Sequence, residues 1–186
     1  MLTSISPLGE RARGNRWEVT VGAYLLGSLL GGAAVGGALG LLGDLLLRPL
    51  PVAGAVVCLA AAAADVGGLL PHGRRQVDDA WLTRYRGWVY GFGFGTQLGV
   101  GVVTIVTSAA TYAVLALCLL SGDGRAGLAI GATFGLARAL PILLLHRATT
   151  PVVLRSAGAR LERLSRAAAA TTTAVLAGAA VLLVAA

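Results

Sequence analysis

The sequence contains no lysine. Its basic residues are 15 arginines, and charged residues make up only 12% of the 186 positions, against around 25% in an ordinary soluble domain. Cysteine, histidine and methionine are scarce: two, two and one. Each shortage excludes something. His72 and His146 stand alone and no Cys-x-x-Cys is present, so the ligand sets of zinc sites are not encoded. Gly-x-Ser-x-Gly and P-loop patterns are absent as well. Nothing points to an enzyme or to a cofactor. The net charge of +7 raises nucleic acid as a partner. The arginines, however, sit in short clusters between apolar runs, with no basic stripe interleaved with aromatics, and nucleic acid is excluded.

What is abundant is apolar. Hydrophobic residues reach 56%, there are 27 glycines, and the mean hydropathy is +0.81. This excludes intrinsic disorder. It also demands a solvent other than water for the surplus apolar surface, which a lipid bilayer supplies. The Ala, Gly, Val, Leu and Arg bias is that of high-GC bacterial coding.

Five apolar segments follow one another: about 19–47, 51–70, 87–120, 126–145 and 167–186. Each reaches the roughly 20 residues a spanning helix needs. The first and third are too long for one straight pass, and the third admits two short ones, which would make six. Residues 1–17 read as a cytoplasmic tail, and 18–186 as one transmembrane helical domain. The tail is polar, with Pro7, Arg11, Arg13 and Arg16, unlike a signal peptide. Arginine counting sets the orientation. The tail, the 71–86 loop (Arg74, Arg75, Arg84, Arg86) and the 146–166 loop (Arg147, Arg155, Arg160, Arg163, Arg166) alternate with loops carrying only Arg48 and Arg125. The expectation is an all-α, polytopic inner-membrane bundle of about five spans, with its N-terminus cytoplasmic.

Two short likenesses hint at an internal repeat. Gly27-Ser28-Leu29-Leu30-Gly31 resembles Gly95-Thr96-Gln97-Leu98-Gly99, and Leu69-Leu70-Pro71 resembles Ala139-Leu140-Pro141. Low-complexity sequence matching itself explains the pairs equally well. Gly32, Gly36 and Gly40, and likewise Gly91, Gly95 and Gly99, are four apart. That spacing clears one helix face for close packing.

Polar residues inside apolar runs are the candidate site. Arg138 lies in the fourth segment, where a charge needs a partner or water. It binds an anionic group or snorkels to the interface. Asp65, in the second segment, is its natural counter-charge. Gln97, Thr104 and Thr111 fall seven apart, with Thr107 and Ser108 continuing the track. They line a solute path, or bond between helices and back to their own backbone. Trp81, Tyr85, Trp88 and Tyr90 with Arg84 and Arg86 read as interface anchors. Cys58 and Cys118 read as small hydrophobes.

The glycine-rich third segment, the element Phe134-Gly-Leu-Ala-Arg-Ala-Leu-Pro141, and the arginine-rich loop and last helix resemble the CcdA/DsbD-type membrane proteins of the LysE-like transporter group, over residues 87–186. The resemblance implies either a solute exporter or a carrier of reducing equivalents through two cysteines, which here would be Cys58 and Cys118. In that family each redox cysteine adjoins a proline, and neither does here. The expectation is therefore a transporter moving a small anionic solute past Arg138, Asp65, Gln97, Thr104, Thr107 and Thr111. The alternatives are a thiol–disulfide carrier, and a non-catalytic subunit or assembly factor partnered by other membrane subunits or by its own copies.

Overall fold

A computed structural model describes residues 5–46, 51–68, 81–101, 108–146 and 150–185. All regular structure in them is helical. In chain order the helices are α1 (Pro7–Ala12), α2 (Trp17–Leu46), α3 (Pro51–Val66), α4 (Trp81–Arg84), α5 (Gly87–Val100), α6 (Ala110–Leu120), α7 (Gly124–Ala139) and α8 (Pro151–Ala185). A 3₁₀ turn, Leu140–Leu145, continues α7. Two stretches, Trp17–Leu46 and Gly124–Leu145, are long and apolar enough to cross a membrane.

Local chemistry sets several of the ends. Ser6 accepts the Gly9 N–H at 3.2 Å and Pro7 opens α1, the favoured cap followed by the residue that lacks a donor. Asp123 caps α7 through the Arg125 N–H at 2.8 Å. Pro141 has no N–H to return to Ala137, so the α-helix yields there to the tighter 3₁₀ turn.

α2 is the centre, with α5 on one face and α7 on another. Its buried positions are mostly glycine, with Thr20, Val21, Tyr24 and Ser28. Most of its leucines point outward: Leu41 is 64% and Leu45 79% exposed. That is the reverse of a water-soluble core, where the large apolar side chains face in. Against α7 the glycines meet reciprocally. A Cβ on Gly32 would lie under 3.0 Å from the Gly131 carbonyl oxygen, and a Cβ on Gly131 equally close to that of Gly32. Gly36 and Gly127 repeat the arrangement one turn on. Ser28, fully buried, donates to the Gly135 carbonyl at 2.7 Å and fixes the end of the same seam.

Direction follows from which residues meet. Thr20, Tyr24 and Ser28 lie against Gly91, Gly95 and Gly99, so α5 runs parallel to α2. Ser28, Gly32 and Gly36 lie against Gly135, Gly131 and Gly127, so α7 runs antiparallel. The α2–α5 contacts occur in mates under a shift of 68 residues. Gly27 abuts the Phe92 carbonyl as Gly95 abuts that of Tyr24, and Gly31 abuts Thr96 as Gly99 abuts Ser28. The repeated glycine motif therefore builds a pseudo-twofold contact with itself. Beyond it the likeness is partial: α7 packs on α2 and α3 on α6, the second half of the mate of α2, but α3 packs more extensively on α8. The second pair of repeat residues begins at 69–71, outside the described residues.

Replacing Gly131 by Ala drives a methyl into backbone that cannot move aside. We expect it to lower stability by about 1–3 kcal/mol, as overpacking does. Gly22→Ala, where nothing lies within 4 Å, is the control and should not lower stability. Thermal unfolding in one detergent, followed by circular dichroism, compares the two.

Candidate functional site

The third apolar segment crosses the bundle once, in two pieces. Gly87 lies beside Thr20 and Leu119 beside Gly43, a stretch of α2 that rises about 35 Å. The 14 residues of α5 and 11 of α6 rise about 37 Å together. The first half ends at Gly101, whose φ of +80° lies where side-chain-bearing residues are strained.

A helix broken inside an apolar bundle leaves carbonyls at one end and N–H groups at the other, with partial charges to match. The two charged residues singled out above meet these ends separately. Arg138 donates from Nη1 to the Leu98 carbonyl at 3.3 Å, at the C-terminus of α5, and its guanidinium lies 5.4 Å from the Phe134 ring centre. Asp65 accepts the Ala109 N–H and the Ser108 hydroxyl, each at 2.6 Å. Ser108 in turn accepts the Ala110 N–H at 3.1 Å. The cap position of α6 is Ala109, which carries no acceptor, so the acceptors come from Ser108 and from another helix. The expected Asp65–Arg138 ion pair is not what forms. Both Asp65 oxygens go to the start of α6, because a half-helix terminus inside the bundle is itself a charge partner.

The other expected site residues are only partly gathered. Thr111 is buried and, with Phe134 and Arg138, surrounds Gly101. Gln97 is half-buried on α5. Thr96 returns its hydroxyl to the Phe92 carbonyl at 2.9 Å. Thr104 and Thr107 lie outside the described residues. Gln97 and Thr111 stand on different helices, α5 and α6, so the seven-residue repeat does not place them on one continuous face. Cys58 is buried among Ala55, Ala61, Ala62, Ala109, Ala113, Leu176 and Ala180. Cys118 is buried with its thiol toward the Gly127 carbonyl. Both thiols are free.

A second polar cluster lies at the end of the bundle where α2 and α5 begin. Glu10 is completely buried. It accepts from the Tyr90 hydroxyl, from Thr20 Oγ1 at 2.9 Å and from Arg13 Nη2 at 2.6 Å. Asn15 donates to the Tyr90 oxygen at 3.3 Å and accepts the Gly87 N–H at 3.4 Å. Burial works against the Arg13 charge, but the hydrogen bonds with Glu10 and Tyr90 outweigh it and raise its pKa. Residues 5–16, read from the sequence as a tail, are thus pinned to the bundle, with Ile5 in the apolar cluster of Val21, Tyr24 and Leu82. One local signal was available, the Ser-Pro helix start followed by an acid in the first turn. The partners, 10 and 80 residues away along the chain, gave none.

If Arg138 and Asp65 cap separate half-helices, their removal should act independently. In a double-mutant cycle, Arg138→Gln and Asp65→Asn should destabilise additively, to within about 0.5 kcal/mol. Hydrogen exchange should quicken near Leu98 in the first variant and near Ala110 in the second. A coupling of 1 kcal/mol or more would instead mark them as each other's partner.

The chain is similar to three curated proteins, each named methylamine utilization protein MauF. That of Methylophilus methylotrophus is 34% identical over 151 residues, covering 76% of this chain and 53% of the relative. That of Methylobacillus flagellatus is 35% identical over 135 residues, covering 68% and 48%. That of Paracoccus versutus is 37% identical over 125 residues, covering 66% and 44%. The chain thus spans about half the length of the curated relatives it matches. No family model matches it, and no solved structure does. These relatives correct the resemblance drawn above: they are MauF proteins, and neither the CcdA/DsbD-type nor the LysE-like assignment stands. The solute-transport and CcdA-like readings lose their support with it. The glycine and Phe134–Pro141 elements that carried the resemblance serve helix contact and the α7 end, a need that packed apolar helices share widely.

Proposed function

We propose that this chain is a non-catalytic, membrane-embedded subunit or assembly factor that serves methylamine utilization. The observation that carries it is the shared name of its relatives at 34–37% identity. The interior agrees with a scaffold. Ser28, Asp65 and Arg138 are engaged with backbone or with Ser108, and the α2 seams are filled by glycine against backbone.

The same proposal places the chain in the inner membrane with five passes: α2, α3, α5 with α6, α7 with its 3₁₀ turn, and the apolar half of α8. The parallel α2–α5 and antiparallel α2–α7 pairs support that alternation. The outward leucines of α2 suit lipid. The arginine-rich end, with the starts of α2 and α5 and the end of α7, faces the cytoplasm by the positive-inside rule. Other membrane subunits, or further copies of this chain, are the partners of such a scaffold.

Deleting the gene should abolish growth on methylamine as sole nitrogen source and leave growth on ammonium unchanged, with the chain restoring growth in trans. Normal growth of the deletion strain on methylamine would refute the role. For orientation, in a background with both native cysteines replaced by alanine, Ser121→Cys should react with a membrane-impermeant maleimide in intact cells. Asn15→Cys should react only after lysis, and the reverse pattern would overturn the placement.

A further inference from the structure

The cluster around Glu10 joins two arginine-bearing segments that are far apart in sequence. Asn15 holds the Gly87 N–H, and Tyr90 holds Glu10. Arg11 and Arg16 on one segment are thereby brought to the same end of the bundle as Arg84 and Arg86 on the other. All four are exposed. None of the four guanidinium groups has a hydrogen bond or ion pair with another described residue. Arg13 differs, because Glu10 already engages it. The one acid exposed at this end among the described residues is Glu18.

Beside these cations stand two exposed amphipathic rings, Tyr85 at 44% and Trp88 at 55%. Further along the same two helices come outward apolar residues, Leu26 on α2 and Phe92 on α5. Guanidinium groups, then tyrosine and tryptophan, then aliphatic side chains is the order of chemistry across a bilayer interface, from phosphate through glycerol to acyl chain.

We propose that this face binds the headgroups of anionic phospholipids. Arg11, Arg16, Arg84 and Arg86 take the phosphate charge, and Tyr85 and Trp88 lie at the level of the glycerol. Arginine suits the role because its planar fork can engage a phosphate through two donors. Glu10 and Tyr90 are positioning residues, since they hold the two halves of the patch together. An acidic protein segment would also answer the charge, but it has no use for rings graded into an apolar wall. The proposal rests on the membrane placement given above.

The full chain would be reconstituted in nanodiscs of phosphatidylcholine with a minor fraction of phosphatidylglycerol, and the lipid it retains read by native mass spectrometry. The wild type should retain phosphatidylglycerol preferentially. Arg84→Gln with Arg86→Gln should cut that preference about fivefold or more, on the scale of two interfacial charges, as should Arg11→Gln with Arg16→Gln. Tyr90→Phe keeps every arginine and should also reduce it. Arg155→Gln with Arg163→Gln, a charge-matched change in α8, should not. An unchanged preference when Arg11, Arg16, Arg84 and Arg86 are all replaced by Gln, or an equal loss in the α8 control, would overturn the proposal. So would displacement of phosphatidylglycerol by soluble polyglutamate at matched charge. A chain that stays folded in buffer and never enters the discs would instead refute the membrane placement and this proposal with it.

Discussion

Backbone-to-backbone contact along α2 is the constraint on which the remaining geometry depends. Two helices can lie this close only if at each contact at least one of them lacks a Cβ, and here glycine faces glycine on the α7 side and the backbone of Thr20, Tyr24, Ser28, Phe92 and Thr96 on the α5 side. At such a distance Cα–H groups lie within reach of facing carbonyls, a weak interaction that gains by repetition along a seam. In the bilayer placement proposed above there is no hydrophobic drive between helices, so dispersion and these short contacts would hold them. One helix carries both seams, which explains why its polar and apolar residues are not sorted to sides. Size is sorted instead, with small residues inward and leucine outward.

The seam with α5 explains where the third segment breaks. The mated contacts run from Thr20 and Gly91 as far as Gly99 with Ser28 and Gly32. Past that point the same face of α2, through Gly32 and Gly36, belongs to α7. A continuous α5 would collide with α7, and at Gly101 the chain leaves the helical path. The break exposes two half-helix termini, each worth a fraction of a charge. Left unmet in an apolar bundle they would be costly, and a guanidinium and a carboxylate from neighbouring helices meet them. Arg138 and Asp65 are therefore consequences of the glycine seam, two steps removed.

Much of this was legible in the sequence, and the part that was not has physical causes. The four-residue spacing of Gly32, Gly36 and Gly40 and of Gly91, Gly95 and Gly99 announced close approach, because a missing side chain is a local property. The excess length of the third segment announced a bend but not its position, which is set by competition with α7. Asp65 and Arg138 were visible as charges in apolar runs. Their partners were hidden because a helix terminus has no residue letter of its own. The Glu10 cluster draws on residues 10, 13, 15, 20, 87 and 90, and only the parallel packing of α2 and α5 makes them neighbours. The likeness to CcdA/DsbD-type proteins rested on Gly, Ala and Leu, the residues that any tightly packed apolar bundle needs.

The limited reach of the repeat bears on what such a bundle does. Folds that work by exchanging two equivalent halves place a broken helix in both and a site between them. Here α2 and the third segment are mates across the α2–α5 contact, yet α2 runs unbroken for 30 residues and only its mate is interrupted. The next helices match only in part, with α7 on α2 and α3 on α6, but α3 chiefly on α8. Two arrangements of equal energy require two equivalent halves, and this chain has one rigid member and one jointed one. The seams of α2 are filled by backbone, and the joint is capped at each end by a charge from a different helix. A bundle so committed to one arrangement is suited to present surfaces to a partner or to lipid. Its unmatched arginines and its outward apolar residues are on those surfaces.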